Sequence, residues 1–334
     1  MKNTLRKFTL IYISLALCLA PVLADAATNK KSKQVSTHSK TSSKYKAAKY
    51  KPSSVNVKTR SSVRKSMAAI DSYDGTTPLK LASAKAIVIN QQTGEVLFAK
   101  NTSLPTPIAS VTKLMTAMVM LDAHLPMDDL LYISDEDVDY LKHTTSRLSV
   151  GTMLTRGELL QLALMASENR AASALGRNYP GGINAFVQAM NQKAKLLGMR
   201  ASRFVDSTGL DSNNVSTAED LAKMVDAAYH YPEIRQVTTL ASQEITLYGR
   251  QNPLSFVNTN ALVRAGKWDI GLSKTGFINE AGRCLVMQAQ ISGQPVIIVL
   301  LDSAGKLTRI GDANRIRKWV ENNEADSLGT LVSG

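Results

Sequence analysis

The chain has 334 residues, 44% hydrophobic and 20% charged, with a net charge of +13 and two cysteines. That length holds a large core in one or two domains and excludes a disulfide-stapled miniprotein. The charge invites a nucleic-acid reading, but twelve Lys/Arg and no acid fall in residues 27–70, leaving 25 basic against 26 acidic residues from 71 onward. The basicity belongs to a tail, and no nucleic acid is expected as a partner.

Residues 1–26 read as a secretory signal: Lys2, Arg6 and Lys7, an apolar run over 8–23, then Ala24-Asp25-Ala26 as a small-residue cleavage site. The expectation is therefore export to the periplasm with the signal removed, which leaves Cys284 alone and permits no intrachain disulfide. Residues 27–75, rich in Lys, Ser, Thr and Ala, are expected to form a disordered basic linker. It serves as a solvated spacer or as a weak electrostatic attachment to anionic envelope polymers.

A catalytic domain is expected over 76–325, with a flexible tail at 326–334. Two strand-like runs, 84–90 and 95–101, flank the hairpin signal Gln91-Gln92-Thr93-Gly94. Pro107-Ile-Ala-Ser-Val-Thr-Lys113 then opens an apolar run, and the spacing of Val111, Leu114, Met115 and Met118 predicts a buried helix to about 124, with Pro107 in its first turn. Residues 125–151 read as irregular, the acidic run 135–139 being a solvated face or a helix start. Thr155-Arg-Gly-Glu158 is a capping box before an apolar helix over 159–166, which Ser167-Glu-Asn169 ends. A further helix spans 182–197 and stops at Gly198; another, capped by Ser216-Thr-Ala-Glu219, runs to Tyr229 and is ended by Pro232. Three strands follow, 269–276, 284–292 and 295–302, and short turns between them require antiparallel neighbours. A final amphipathic helix covers 306–322. Strands, then helices, then strands predict an α+β fold: one five-stranded antiparallel sheet packed with helices, its first and last strands brought together.

Ser110 and Lys113 lie three apart and so project from nearly one face of a helical turn. A serine hydroxyl needs an adjacent base, and a lysine is one only if burial or nearby positive charge populates its neutral amine. The S-x-x-K spacing alone carries little weight, because Ser43/Lys46, Ser62/Lys65 and Ser303/Lys306 repeat it. Only Ser110/Lys113 heads a long apolar helix. S-x-N at Ser167/Asn169 recurs at Ser54/Asn56 and Ser212/Asn214, whereas Lys274-Thr275-Gly276 occurs once, on a late predicted strand. Each fragment has an ordinary structural meaning; their joint order is that of β-lactamases and penicillin-binding proteins.

On PIASVTKLMTAMV, LMASENRAAS, FVDSTGLDSNNVSTAEDLA, NTNALV and LSKTGF, the chain resembles the low-molecular-mass penicillin-binding proteins, the D-Ala-D-Ala peptidases, and most of all their endopeptidase members. The resemblance covers about residues 80–322. It implies a β-lactamase/DD-peptidase-like fold, Ser110 as acylated nucleophile, Lys113 as its base and Ser167 as proton relay. It implies further that Asn169, Lys274, Thr275 and Gly276 bind the substrate, and that the backbone N–H groups of Ser110 and Phe277 form the oxyanion hole. The substrates it implies are peptidoglycan cross-linked peptides, with carboxypeptidase action as the alternative and β-lactams as covalent inhibitors. Ile278 departs from the family, which often has a hydroxyl residue there. Larger relatives add a second β-rich domain and a C-terminal anchor helix, and neither is expected in the dozen or so residues after Asn322.

Rival readings are weaker. A class A β-lactamase needs a glutamate after S-x-N, and 180–211 holds no E-x-x-L-N. A metalloprotease is unsupported because His38, His124, His143 and His230 form no ligand pair, so neither metal nor cofactor is expected. A Ser-His-Asp hydrolase would need a G-x-S-x-G elbow. A non-catalytic wall-binding protein using the basic tail is the alternative from a different class.

Overall fold

The computed structural model describes residues 78–247 and 252–332, so the predicted signal and the whole of the linker, with two of the S-x-x-K repeats, lie outside the described residues. Five strands form the main sheet: β1 (Lys85–Asn90), β2 (Val96–Lys100), β3 (Asp269–Ile278), β4 (Gly282–Ile291) and β5 (Gln294–Ser303). Their order is β2-β1-β5-β4-β3, every neighbour antiparallel. The predicted sheet is present, and Ala86 opposite Leu300 joins its first and last strands.

Because side chains alternate across a strand, β5 carries Ile297, Val299 and Leu301 to one face and Val296, Ile298 and Leu300 to the other, and all six are buried. One face packs against the helical block. The other packs against Ala313, Ile316 and Val320 of the last helix, α7 (Thr308–Val332). Cys284 lies fully buried in the first of these layers, and burial pushes its thiol up to about 11. We expect no labelling of Cys284 by a maleimide in the native protein and complete labelling after unfolding in guanidinium, read by intact mass.

The helical block comprises α1 (Thr112–Asp122), α2 (Arg156–Met165), α3 (Asn169–Arg177), α4 (Gly182–Leu196), α5 (Ala218–Tyr229) and α6 (Pro232–Thr238). α1 is buried along nearly its whole length, from Thr112 to Met120, so it is the central rod rather than an amphipathic surface helix. The capping box at α2 forms as predicted: Thr155 Oγ1 accepts from the Glu158 N–H at 3.1 Å and the Thr155 N–H donates to Glu158 Oε2 at 2.8 Å. Thr155→Ala should lower stability by about 1 kcal/mol in denaturant unfolding, without loss of the fold.

Several local expectations are corrected. Pro107 is not in the helix; Thr106–Pro107 pairs with Val215–Ser216, and the chain enters α1 through a single 3-10 turn, Ala109–Val111. Ser216 is spent in that ladder, so the cap of α5 passes to Thr217, which accepts from the Asp220 N–H. Pro232 starts α6 at its first turn rather than merely ending α5, as its missing N–H allows. Within the acidic run, Asp135–Asp137 is a 3-10 turn capped by Ser134, and Asp137 is buried against Arg177 of α3 at 2.9 Å. Ser303 of the last S-x-x-K copy is also structural: it is fully buried, 2.7 Å from the Ser83 hydroxyl.

Candidate active site

The predicted site residues come from three places in the chain and converge where α1, α3 and β3 meet. Ser110 lies in the 3-10 turn before α1, and Lys113 one helical turn on. The turn is forced: Ala109 has φ +48°, a left-handed conformation unusual for alanine, and Gly209, at φ +80°, packs so closely that a β-carbon there would overlap the Ala109 carbonyl. Such strain persists only where surrounding structure over-determines it, and it clusters at working sites. Ser167 repeats the pattern at φ +60°, in the bend between α2 and α3.

Ser110 is half-buried, whereas the Lys113 side chain is wholly enclosed. The Lys113 amine lies 2.9 Å from Ser110 Oγ, 2.7 Å from Asn169 Oδ1 and 2.6 Å from the Thr208 carbonyl oxygen. Burial lowers its pKa to about 7, against the pull of the carboxylates of Asp206, Glu168 and Asp139. Lys274, equally enclosed on β3, donates to Ser167 Oγ at 2.9 Å and to the Thr275 carbonyl at 3.0 Å. Its pKa is held well below the ordinary lysine range, first by burial and then by the charges of Lys113 and Arg309.

The Thr275 hydroxyl lies 2.6 Å from that of Thr259. A β-carbon at Gly276 would stand 2.8 Å from the Ile108 carbonyl oxygen and 3.1 Å from the Ser110 nitrogen, so glycine is required for β3 to lie against the turn that holds Ser110. Phe277, on the sheet's edge strand, turns its ring outward, half-exposed beneath the Arg283 guanidinium.

Sequence reasoning missed several contributors. Thr208 presents a backbone atom, which no motif of side chains shows. Its loop is gathered by Asp206, whose carboxylate accepts from the N–H groups of Thr208, Gly209 and Asp211 and from the Thr208 hydroxyl. The DSTGLD spelling, with Asp and Ser/Thr two or three residues apart, was an available signal for such a turn. Thr259 and Arg309, which donates to the Gly276 carbonyl at 3.3 Å, carried none. Among the described residues no cluster of His, Cys, Asp and Glu could hold a metal ion.

Residues 72–305 match the family described as D-alanyl-D-alanine carboxypeptidase. A D-alanyl-D-alanine endopeptidase of Pseudomonas aeruginosa is 47% identical over 249 residues, 75% of this chain and 80% of that one. Its Escherichia coli counterpart is 46% identical over 242 residues, covering 72% and 78%. A D-alanyl-D-alanine carboxypeptidase of Bacillus subtilis is more distant, at 30%. The crystal structure of the Streptomyces K15 DD-transpeptidase superposes with a TM-score of 0.68 at 28% identity, covering 73% of this chain and 98% of that one.

Proposed function

We propose, for a chain that belongs to the D-alanyl-D-alanine carboxypeptidase family and is a serine-type D-Ala-D-Ala peptidase, that it hydrolyses D-alanyl cross-links of peptidoglycan in the periplasm as an endopeptidase. The endopeptidase preference follows the relatives so named, which share more of this sequence than the carboxypeptidase does. The reaction class rests on the surroundings of the Lys113 amine. A neutral lysine has two hydrogens and one lone pair. Asn169 Oδ1 and the Thr208 carbonyl are both acceptors and take the two hydrogens, so the lone pair is left facing Ser110 Oγ.

Ser110 then loses its proton to Lys113 as its oxygen attacks the D-alanyl carbonyl. The carbonyl oxygen becomes an oxyanion, for which the N–H groups of Ser110 and Phe277 are the donors, at the contact between β3 and the 3-10 turn that Gly276 permits. On collapse the C–N bond breaks, and the leaving amine takes, through the Ser167 hydroxyl that Lys274 holds, the proton that Lys113 had removed, so that Lys113 is neutral again. Lys274 and Thr275 supply the positive charge and hydroxyl that hold a substrate carboxylate, and Asn169 binds the peptide. Water then attacks the acyl-serine, Lys113 again takes the proton, and Ser110 is regenerated. A β-lactam acylates Ser110 with its own carbonyl and stalls at that stage. The basic linker adds weak attachment to the anionic envelope.

Intact mass after incubation with benzylpenicillin tests this reading. One adduct per chain is expected, persisting for many minutes and absent in Ser110→Ala; no adduct in either protein moves the weight to a non-catalytic wall-binding role. Digestion of cross-linked muropeptide dimers beside pentapeptide monomers separates endopeptidase from carboxypeptidase: loss of dimer without release of free D-alanine is expected.

A further inference from the structure

Building on the assignment of Lys113 as base, we infer that Asp139, acting through the Thr144 hydroxyl, fixes which way the Asn169 amide faces and so keeps the Lys113 lone pair on Ser110. Asp139 and Thr144 are positioning residues. They belong to the segment that links the short ladder strands Leu130–Tyr132 and Met153–Thr155, outside all three motifs.

Asp139 knots that segment. Its Oδ1 accepts from the N–H groups of Leu141 and Lys142, each at 2.9 Å, and its Oδ2 from the Thr144 N–H at 2.9 Å and hydroxyl at 2.7 Å. His143, at φ +53°, makes the turn that brings Thr144 back. Partial burial would raise the Asp139 pKa, but the donors from Lys142, Thr144 and Leu141 outweigh it and hold the carboxyl below its usual range. An ionised carboxylate only accepts, so the Thr144 hydroxyl hydrogen points at Asp139. The Thr144 oxygen can then only accept from Asn169, whose Nδ2 lies 3.0 Å away.

The amide is thereby polarised along one direction: Nδ2 toward Thr144, Oδ1 toward the Lys113 amine. Reversed, Oδ1 would face an oxygen with no hydrogen to give, and Nδ2 would take the very lone pair that must face Ser110. The segment is also tied elsewhere, by Lys142 to Glu280 beyond β3 and by Ser146 Oγ to Glu168 at 2.8 Å. Thr144 itself is exposed at the rim, so a substitution there leaves the core untouched.

Two kinds of change separate the parts of the inference. Thr144→Val removes the hydroxyl and leaves every charge in place. Asp139→Asn removes one of the carboxylates that act on Lys113, the others being Asp206 and Glu168, while Lys274 is the second enclosed lysine of the pocket. The acid limb of acylation should therefore move to lower pH in Asp139→Asn and stay in place in Thr144→Val.

The experiment measures the second-order rate of benzylpenicillin acylation from about pH 5.5 to 9 for wild type, Thr144→Val, Thr144→Ser, Asp139→Asn and Ser110→Ala, with melting curves for each. Thr144→Val is expected to acylate about 30-fold more slowly, within the range for a misaimed catalytic group, with Thr144→Ser restoring the rate to within about threefold. Folded Thr144→Val acylating like wild type, or Asp139→Asn with unchanged rate and unchanged limb, overturns the inference. An adduct surviving in Ser110→Ala overturns the site assignment itself, a separate result.

Discussion

Lys113→Met should lower the benzylpenicillin acylation rate by about three orders of magnitude, the range for loss of a general base. In wild type the rate should climb with pH and level off above about pH 7, where the buried amine gives up its proton. The same group has a signature in stability. In the unfolded chain a lysine amine titrates near 10.5, against about 7 in the fold. Between these values the unfolded state holds the extra proton, so wild-type stability rises with pH across that window. Below about pH 7 both states are protonated and the penalty of an enclosed ammonium is present in full, on the order of 5 kcal/mol. Methionine has no such group, although it leaves Asn169 and Thr208 without their donor at every pH. The melting-temperature difference between Lys113→Met and wild type should therefore shift steadily in favour of wild type from pH 7 to 10.5. A pH-independent difference would mean that Lys113 is not buried as an amine.

Among the described glycines, Gly209→Ala should be the most damaging added methyl group. Its φ of +80° disfavours any L side chain, and the added carbon would overlap the Ala109 carbonyl and press on the Thr112 hydroxyl. Gly94→Ala is the matched control: its φ is +75°, but nothing lies within 4 Å of the new carbon. Backbone strain alone should cost Gly94→Ala about 1–2 kcal/mol. Gly209→Ala should cost about 3 kcal/mol or more, because steric overlap with a buried backbone is added to the strain. The chemistry distinguishes them further. Gly209 lies between Thr208, whose carbonyl meets Lys113, and the turn that presents Ser110, so the folded fraction of Gly209→Ala should acylate about 100-fold more slowly. Gly94→Ala should acylate normally. Urea unfolding and penicillin acylation on the same samples give both numbers.

What could be read from the sequence was what local physics determines. The five strands of the sheet follow from alternation, apolar runs and short turns, and the α2 capping box from one Thr–Glu spacing. Of the two S-x-x-K copies among the described residues, Ser110/Lys113 heads a buried helix as its apolar run predicts, and Ser303 packs against Ser83. Where the reading went astray, a distant partner decided. Pro107 has the local chemistry of a helix start, but Val215 pairs with it as a strand. Ser216 has the chemistry of a cap, but its backbone belongs to the same ladder and Thr217 caps instead. The Thr208 carbonyl and the Asp139–Thr144–Asn169 chain were hidden for a related reason. The first is a backbone atom, and the second joins residues whose spacing follows no secondary-structure period.

The pairing of β1 with β5 also governs when this protein can fold. Ala86 meets Leu300 only after more than two hundred intervening residues have been made. Until then the β1–β2 hairpin is a two-stranded ribbon with one face unsupported, and such ribbons are marginal in water. The strand bearing Lys274, Thr275 and Gly276 reaches β1 only through β4 and β5, at the opposite edge of the sheet from the strand β2 that is synthesised early. Contacts of such long sequence separation fold slowly, because the loop must close before the pairing rewards it. A chain threaded through a membrane from its N-terminus would therefore cross without a completed sheet, and Ser167 would meet its Lys274 partner only after more than a hundred further residues had followed it across.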